Sequence, residues 1–490
     1  MVKLCEISYV FIQLCLGRPK MREKAVTSPE LFQAEYDAMQ WCVKKSNPMV
    51  LQLEAIDKLL DELPELLTAI HENISAPAGK APLKSKSGRP VGITSEQALR
   101  CVILKQLRGF SYRELAFEID ANPLYRKFTR FYGYEIPHYS TIERVVKRIS
   151  DDSVQAANKA LVLLGIKKKA EDGKAIRHDT TVVGTDIIYP MDSRLLSDVV
   201  RVLTRLMSRI QQEAGGGGYQ FNDRTRRSGK RAYQIVVGKG KNIEARRALL
   251  YRDLLKVQKE VVDQAENLAA LAQGDKALRA AAVKYANELR ELIPLARQVY
   301  DQAKRRVIDG ETVPVSEKLF SIFETHTDLI CRGKKGSPSE FGHKVDFAIG
   351  KSGLVTRYEI LDGNPGDGEV LERSLEYHKE LFGFVPNELT ADRRYFSSAN
   401  EEMAGLKGVK KVAISKPGKL SATRRQLQRQ PWFRRLLNWR AGIEGCLSTL
   451  LRSFGLGRCL WKGKESFNAY VGLSVLTYNL RLLAGHLLKI

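Results

Sequence analysis

The chain has 490 residues and 43% hydrophobic content, with 80 Lys plus Arg against 56 Asp plus Glu, for a formal net charge of +24. This length allows two or three domains with their own cores. An excess of cations makes a compact chain repel itself, and a bound polyanion, nucleic acid above all, relieves that. No pair of the seven cysteines has C-x-x-C spacing, which argues against a thiolate zinc site, and no apolar run reaches the roughly 18 residues of a bilayer span.

The chain opens on an apolar stretch, residues 7–16, that resembles a signal core. Glu6 precedes it, and Arg18-Pro19-Lys20 follows where small residues would mark a cleavage site. Residues 1–30 therefore read as a dispensable leader, with Met21 as an alternative start. The cysteines (Cys5, Cys15, Cys42, Cys101, Cys331, Cys446 and Cys459) are odd in number and scattered, as expected of reduced thiols in a cytoplasmic protein.

Residues 31–165 follow a helical pattern. Leu51, Leu53, Ile56, Leu59 and Leu60 recur at helical spacing. Thr94 with Gln97 and Ser111 with Glu114 form capping-box signatures, each opening an amphipathic segment. A third helix, starting at Ser140 or Thr141, carries Arg144, Lys147 and Arg148. Short helices joined by tight polar turns suit a helix-turn-helix-like DNA-binding domain. The alternative is a helical bundle with a solvated basic face.

The period changes after Lys169. Residues 175–183 are rich in β-branched side chains and read as a strand that contains Asp179. A helix follows over 193–213, then a break at Gly215–Gly218. Residues 243–306 read as two long helices forming an antiparallel hairpin, so that 196–314 is an all-helical insertion. Strand patterns return at 344–349 and 355–361, joined as a hairpin by Gly350-Lys351-Ser352-Gly353. A helix over 369–382 precedes short strands at 388–392 and 412–414, and residues 436–454 read as one helix. Segments 170–195 and 315–490 together make an α/β body interrupted by the helical block.

Phosphodiester chemistry needs an activated oxygen nucleophile and a stabilised leaving oxygen. Two divalent cations roughly 4 Å apart serve both ends, and hard ions such as Mg²⁺ take carboxylate ligands. Asp179 lies in a predicted strand, where a carboxylate is costly unless it is paired or binds a metal; Arg177 is its ordinary partner. Asp392 closes a short strand, and Arg393-Arg394 would pair with it otherwise. Glu444 is the only acidic residue between Met403 and Lys464, a stretch that holds Lys416, Arg424, Arg425, Arg434, Arg435, Arg440 and Arg452 among its cations. A lone carboxylate there fits a metal ligand surrounded by phosphate-binding groups; the plainer alternative is an exposed Arg440–Glu444 pair one helical turn apart. Asp346, Asp362 and Asp367 are weaker candidates, the last two in a turn-forming run. No Gly-rich phosphate loop is present in the sequence, so no nucleotide cofactor is expected.

Taken together, His178-Asp179-Thr180-Thr181-Val182-Val183, Tyr189-Pro190-x-Asp192-Ser193, Glu340-Phe341-Gly342-His343-Lys344-Val345, Ala391-Asp392-Arg393-x-Tyr395 and Trp439-Arg440-Ala441-Gly442-x-Glu444-Gly445 resemble the DDE transposases of bacterial insertion sequences, closest to the ISNCY-like group. The resemblance runs from about residue 85 to the C-terminus. It implies an RNase H-like core, a mixed sheet flanked by helices, with Asp179 on its first strand, Asp392 on a central strand and Glu444 on a following helix. It also implies two Mg²⁺ ions (or Mn²⁺), with Asp179 bridging them, and Arg440 near the transferred strand. The expected partners are double-stranded DNA, as terminal inverted repeats and as target, and a second copy of the chain on that DNA. Two positions depart from the pattern. Arg394 stands where the family usually has Gly, and Gly184 where an acidic residue is common. The alternative is therefore a catalytically decayed, transposase-derived DNA-binding protein.

Overall fold

The computed structural model describes residues 47–75, 92–132, 135–215, 218–239, 242–275, 278–334, 337–363 and 365–488. The leader, Met21, and Cys5, Cys15 and Cys42 lie outside them. The described cysteines, Cys101, Cys331, Cys446 and Cys459, are free thiols. The chain divides into two compact units, one running to Gly184 and resuming at His343, the other Thr185–Gly342.

The first unit begins with helices only: α1 Pro48–Asp61, α2 Pro64–Ser75, α3 Ser95–Arg108, α4 Tyr112–Ala121, α5 Pro123–Phe128, α6 Tyr139–Val146 and α7 Asp151–Lys167. Both capping boxes form. Thr94 and Gln97 bond reciprocally at the start of α3, as do Ser111 and Glu114 at α4, satisfying amide donors that a helix start leaves free. Gly109 ends α3 in a left-handed conformation, φ 69°, which favours glycine.

Strand β1, Ala175–Gly184, follows; the chain then leaves for the second unit and re-enters at His343 within β3, Ser337–Gly350. β4 (Val355–Ile360), α12 (Leu371–Phe382), β5 (Glu388–Ala391), α13 (Ser398–Leu406), β6 (Lys411–Ile414), α14 (Ala422–Arg429), α15 (Pro431–Ala441), α16 (Ile443–Ser453) and α17 (Lys464–Leu488) complete it. The sheet order in this unit is β4-β3-β1-β5-β6. β3 and β4 are antiparallel, whereas β1, β5 and β6 are mutually parallel. The expected hairpin over residues 350–353 thus forms within a mixed sheet flanked by helices.

Leu59, Ile103, Leu161, Phe347, Phe467 and Leu476 belong to one buried cluster, so the early helices share a core with β3 and α17. α17 is long and apolar enough to cross a membrane by length and composition, which the sequence reading did not anticipate. In this fold 67% of its most apolar window is buried, as in the central helix of a globular core.

The second unit holds α8 (Asp192–Glu213), α9 (Thr225–Val237), α10 (Ile243–Gly274), α11 (Ala280–Val307) and β2 (Asp328–Lys334). Val199, Leu203, Leu254, Val261, Leu289 and Val299 form its core. Here β2 pairs antiparallel with the first half of β3. The sequence reading missed α9, whose cation-rich composition hides its narrow buried face of Ser228 and Ile235. It also missed β2.

Candidate active site

The register of the sheet builds the site. β1 runs parallel to β5 with Ala175 opposite Glu388 and His178 opposite Ala391. One step further along both chains comes Asp179 on one side and Asp392 on the other. Neighbouring strands lie about 4.8 Å apart, so two carboxylates 213 positions apart in sequence become neighbours.

Each aspartate is turned by its own backbone. Asp179 Oδ1 accepts from the amide of Thr180 at 2.8 Å, and Asp392 Oδ1 accepts from the amide of Arg393 at 2.7 Å. The second interaction starts the short 3-10 turn Arg393–Tyr395, which Asp392 caps.

Arg440, near the end of α15, closes the arrangement. Its Nη2 donates to Asp179 Oδ2 at 3.1 Å and lies 3.6 Å from Asp392 Oδ1. The three side chains are 19%, 15% and 28% exposed, partly withdrawn from water yet still reachable from it. The Arg440 Nε is buried and finds no acceptor among the described residues.

The ordinary partner foreseen for Asp179 is engaged elsewhere. Arg177 turns its guanidinium to the Trp439 carbonyl at 2.7 Å and to Cys446 Sγ at 3.4 Å, and stacks on the Trp439 ring. Arg393 and Arg394 are exposed.

The expected single helix over residues 436–454 is two helices, α15 and α16, broken at Gly442. A Cβ on Gly442 would stand 2.9 Å from Arg177 Nη1, closer than side-chain carbons approach, so glycine allows the guanidinium to pass beneath the break. The break also removes the premise that Arg440 and Glu444 share one helix face. Glu444 lies exposed in the first turn of α16 and pairs with neither Arg440 nor any other described residue. Among the described residues no group of three or more His, Cys, Asp or Glu converges as a metal cage. The structure therefore brings Asp179, Asp392 and Arg440 together, and leaves Glu444 at the start of a helix that packs against β1.

The cations proposed for phosphate contact fall into two groups. Arg144, Arg148, Lys416, Arg425, Arg434 and Arg452 are exposed. Lys147 pairs with Glu143 at 2.7 Å and Arg435 with Glu388. Arg424 is an internal strut: it grips both oxygens of Glu401 at 2.8 Å and packs against Phe396 and Phe433.

Beneath β1 the opposite face carries a polar cluster that the sequence did not reveal. His178, Asp346 and Tyr395 are fully buried. Tyr395 Oη donates to Asp346 Oδ1 at 2.6 Å, Arg357 Nη1 donates to Asp346 Oδ2 at 3.3 Å, and His178 Nδ1 lies 3.5 Å from that same oxygen. Burial alone would raise the Asp346 carboxyl, but His178, Tyr395 and Arg357 hold it below the usual carboxylate range.

Asp179 and Asp392 offer hard oxygen donors at one locus, and a guanidinium nitrogen already lies against both. A site that holds one cation between two carboxylates, with an orphaned donor beside it, suits a divalent ion and an anionic ligand.

Two family models match the chain. A model described as Transposase domain (DUF772) covers residues 42–148, and one described as Transposase DDE domain covers residues 301–480. The second includes Asp392, Arg440 and Glu444, while Asp179 lies between the two matched segments. No curated protein and no solved structure matches.

Proposed function

The chain belongs to the DDE transposases of insertion-sequence type, and we propose that it cuts and joins DNA strands at the ends of its element through Asp179, Asp392 and Glu444. The family acts on DNA, as nuclease and strand transferase, and generally uses divalent metal ions. The observation that carries the reading is the parallel register that sets Asp179 beside Asp392 with one Arg440 nitrogen against both.

The order β4-β3-β1-β5-β6, with its parallel half at β1, β5 and β6, supports an RNase H-like core. Asp179 and Asp392 would hold Mg²⁺, or Mn²⁺ in its place, with Glu444 completing the set for two ions. When bound, the ions would activate the attacking oxygen and stabilise the leaving one. Arg440 neutralises the two aspartates, and its planar fork would also suit a backbone phosphate of the transferred strand. Gly442 separates Glu444 from α15, and this reading requires the first turn of α16 to bring that carboxylate inward.

The exposed Arg144, Arg148, Lys416, Arg425, Arg434 and Arg452 would grip phosphates, which position DNA without reading its sequence. The helices within residues 31–165 would recognise the terminal repeats, residues 196–314 would form the insertion, and two copies would bring two ends together.

A labelled element-end duplex, incubated with the protein and Mg²⁺ or Mn²⁺, tests this. Joined product is expected from the wild type. Glu444→Gln is expected to bind the duplex and cut nothing; normal cutting by that variant removes Glu444 from the triad. Binding without cutting by the wild type supports the decayed, DNA-binding alternative.

A further inference from the structure

We propose that Asp346 and Tyr395 are positioning residues that fix the spacing of Asp179 and Asp392 from the far side of the sheet. The inference rests on the metal-binding reading of those two aspartates.

Successive side chains on a strand point to opposite faces. His178 therefore turns away from the site that Asp179 enters, and it is fully buried beneath β1. There its Nδ1 lies 3.5 Å from Asp346 Oδ2, and its Nε2 lies 3.2 Å from Ser374 Oγ. The other oxygen of Asp346 reaches a different segment. Tyr395 ends the turn that Asp392 caps: its amide bonds the Asp392 carbonyl at 2.9 Å and its hydroxyl donates to Asp346 Oδ1 at 2.6 Å. One buried carboxylate on β3 thus touches the residue before the first aspartate and the turn that begins at the second.

The cost of this arrangement argues for a role. A fully buried carboxylate is expensive to hold, and apolar residues of similar volume commonly stabilise a core as well or better. Neighbouring β3 positions are apolar, with Val345, Phe347, Ala348 and Ile349 all buried. Asp346 breaks that run at the position that ties the two site segments together. Fixing a ligand's orientation through a hydrogen-bonded outer layer is a general way to raise metal affinity, and losing such a partner costs about 10- to 100-fold.

Tyr395→Phe removes one hydroxyl and keeps the buried ring. Mn²⁺ binding to the purified full chain, followed by calorimetry or by the free-ion paramagnetic signal, is the direct readout. The expected result is affinity lower by about 10-fold, a matching rise in the Mg²⁺ needed for half-maximal cutting, and unchanged affinity for the end duplex. Asp346→Asn is expected to do the same more severely. Because it can also impair folding, its thermal melt is recorded alongside. Unchanged Mn²⁺ affinity in Tyr395→Phe overturns the inference, provided that Asp179→Asn loses Mn²⁺ binding in the same assay. Retained binding in Asp179→Asn instead removes the metal reading of Asp179, and this inference with it.

Discussion

Asp392 stands beside Asp179 because β5 runs parallel to β1 with Ala391 opposite His178. Backbone pairing one residue away sets the two side by side. Arg440 then neutralises the pair from α15.

If that pair binds divalent metal, the ion stabilises the native state by mass action. Mg²⁺ at 100 times its dissociation constant adds about 2.7 kcal/mol. The wild-type Tm is expected to rise with Mg²⁺, while Asp392→Asn shows little rise and cuts DNA roughly 10³-fold more slowly or worse. Differential scanning fluorimetry and the end-cutting assay measure the two effects. An equal Tm rise in the variant places the ion elsewhere.

Arg424 and Arg434 lie ten residues apart in the same basic segment and differ in kind. Arg434 is exposed, whereas Arg424 is bound to Glu401 and packed on two aromatic rings. Arg434→Ala, like Arg452→Ala, is expected to weaken DNA binding across all sequences and lower the salt slope by about one, without moving Tm. Arg424→Ala is expected to cost about 2–3 kcal/mol of stability by leaving Glu401 unpaired. Salt-titrated binding and urea unfolding of the three variants separate the classes.

Arg394 follows Asp392 within the same turn, and its side chain is exposed. If this large cation hinders entry of metal or DNA, Arg394→Gly increases the cutting rate at fixed Mg²⁺. A decrease assigns Arg394 a supporting part, as a phosphate contact or as a brace of the turn.

His378 gives the fold a pH dependence. Its Nε2 bonds the Gly173 carbonyl at 2.9 Å and its ring stacks on Phe382, and burial lowers its pKa to about 4 from an ordinary 6.5. The native state therefore binds fewer protons than the unfolded chain between those values. Its contribution is complete above pH 6.5 and declines as the pH falls toward 4, by on the order of 3 kcal/mol. Chemical unfolding at pH 7, 5.5 and 4.5 should show the decline, and His378→Phe should flatten it over the same interval. A slope equal to the wild type's in that variant assigns the effect to other groups.

Local physics is written in the sequence, and there it was legible. Thr94 with Gln97 and Ser111 with Glu114 close their capping boxes because each bond spans only three residues. The 350–353 turn forms its hairpin for the same reason. The charge desert around Glu444 and the strand character around Asp179 were also visible in one dimension. What needed the tertiary structure was every relationship set by packing. Gly442 breaks a stretch whose apolar periodicity reads as continuous, because Arg177 from a distant strand passes beneath it. Arg424 and Arg434 look alike until Glu401, 23 residues before the first, claims it. Asp346 read as a spare carboxylate, yet it ties the segments of Asp179 and Asp392 together. Spacing along a chain fixes which neighbours a residue has within a turn or two; strand register and side-chain burial, summed over the whole core, choose the rest.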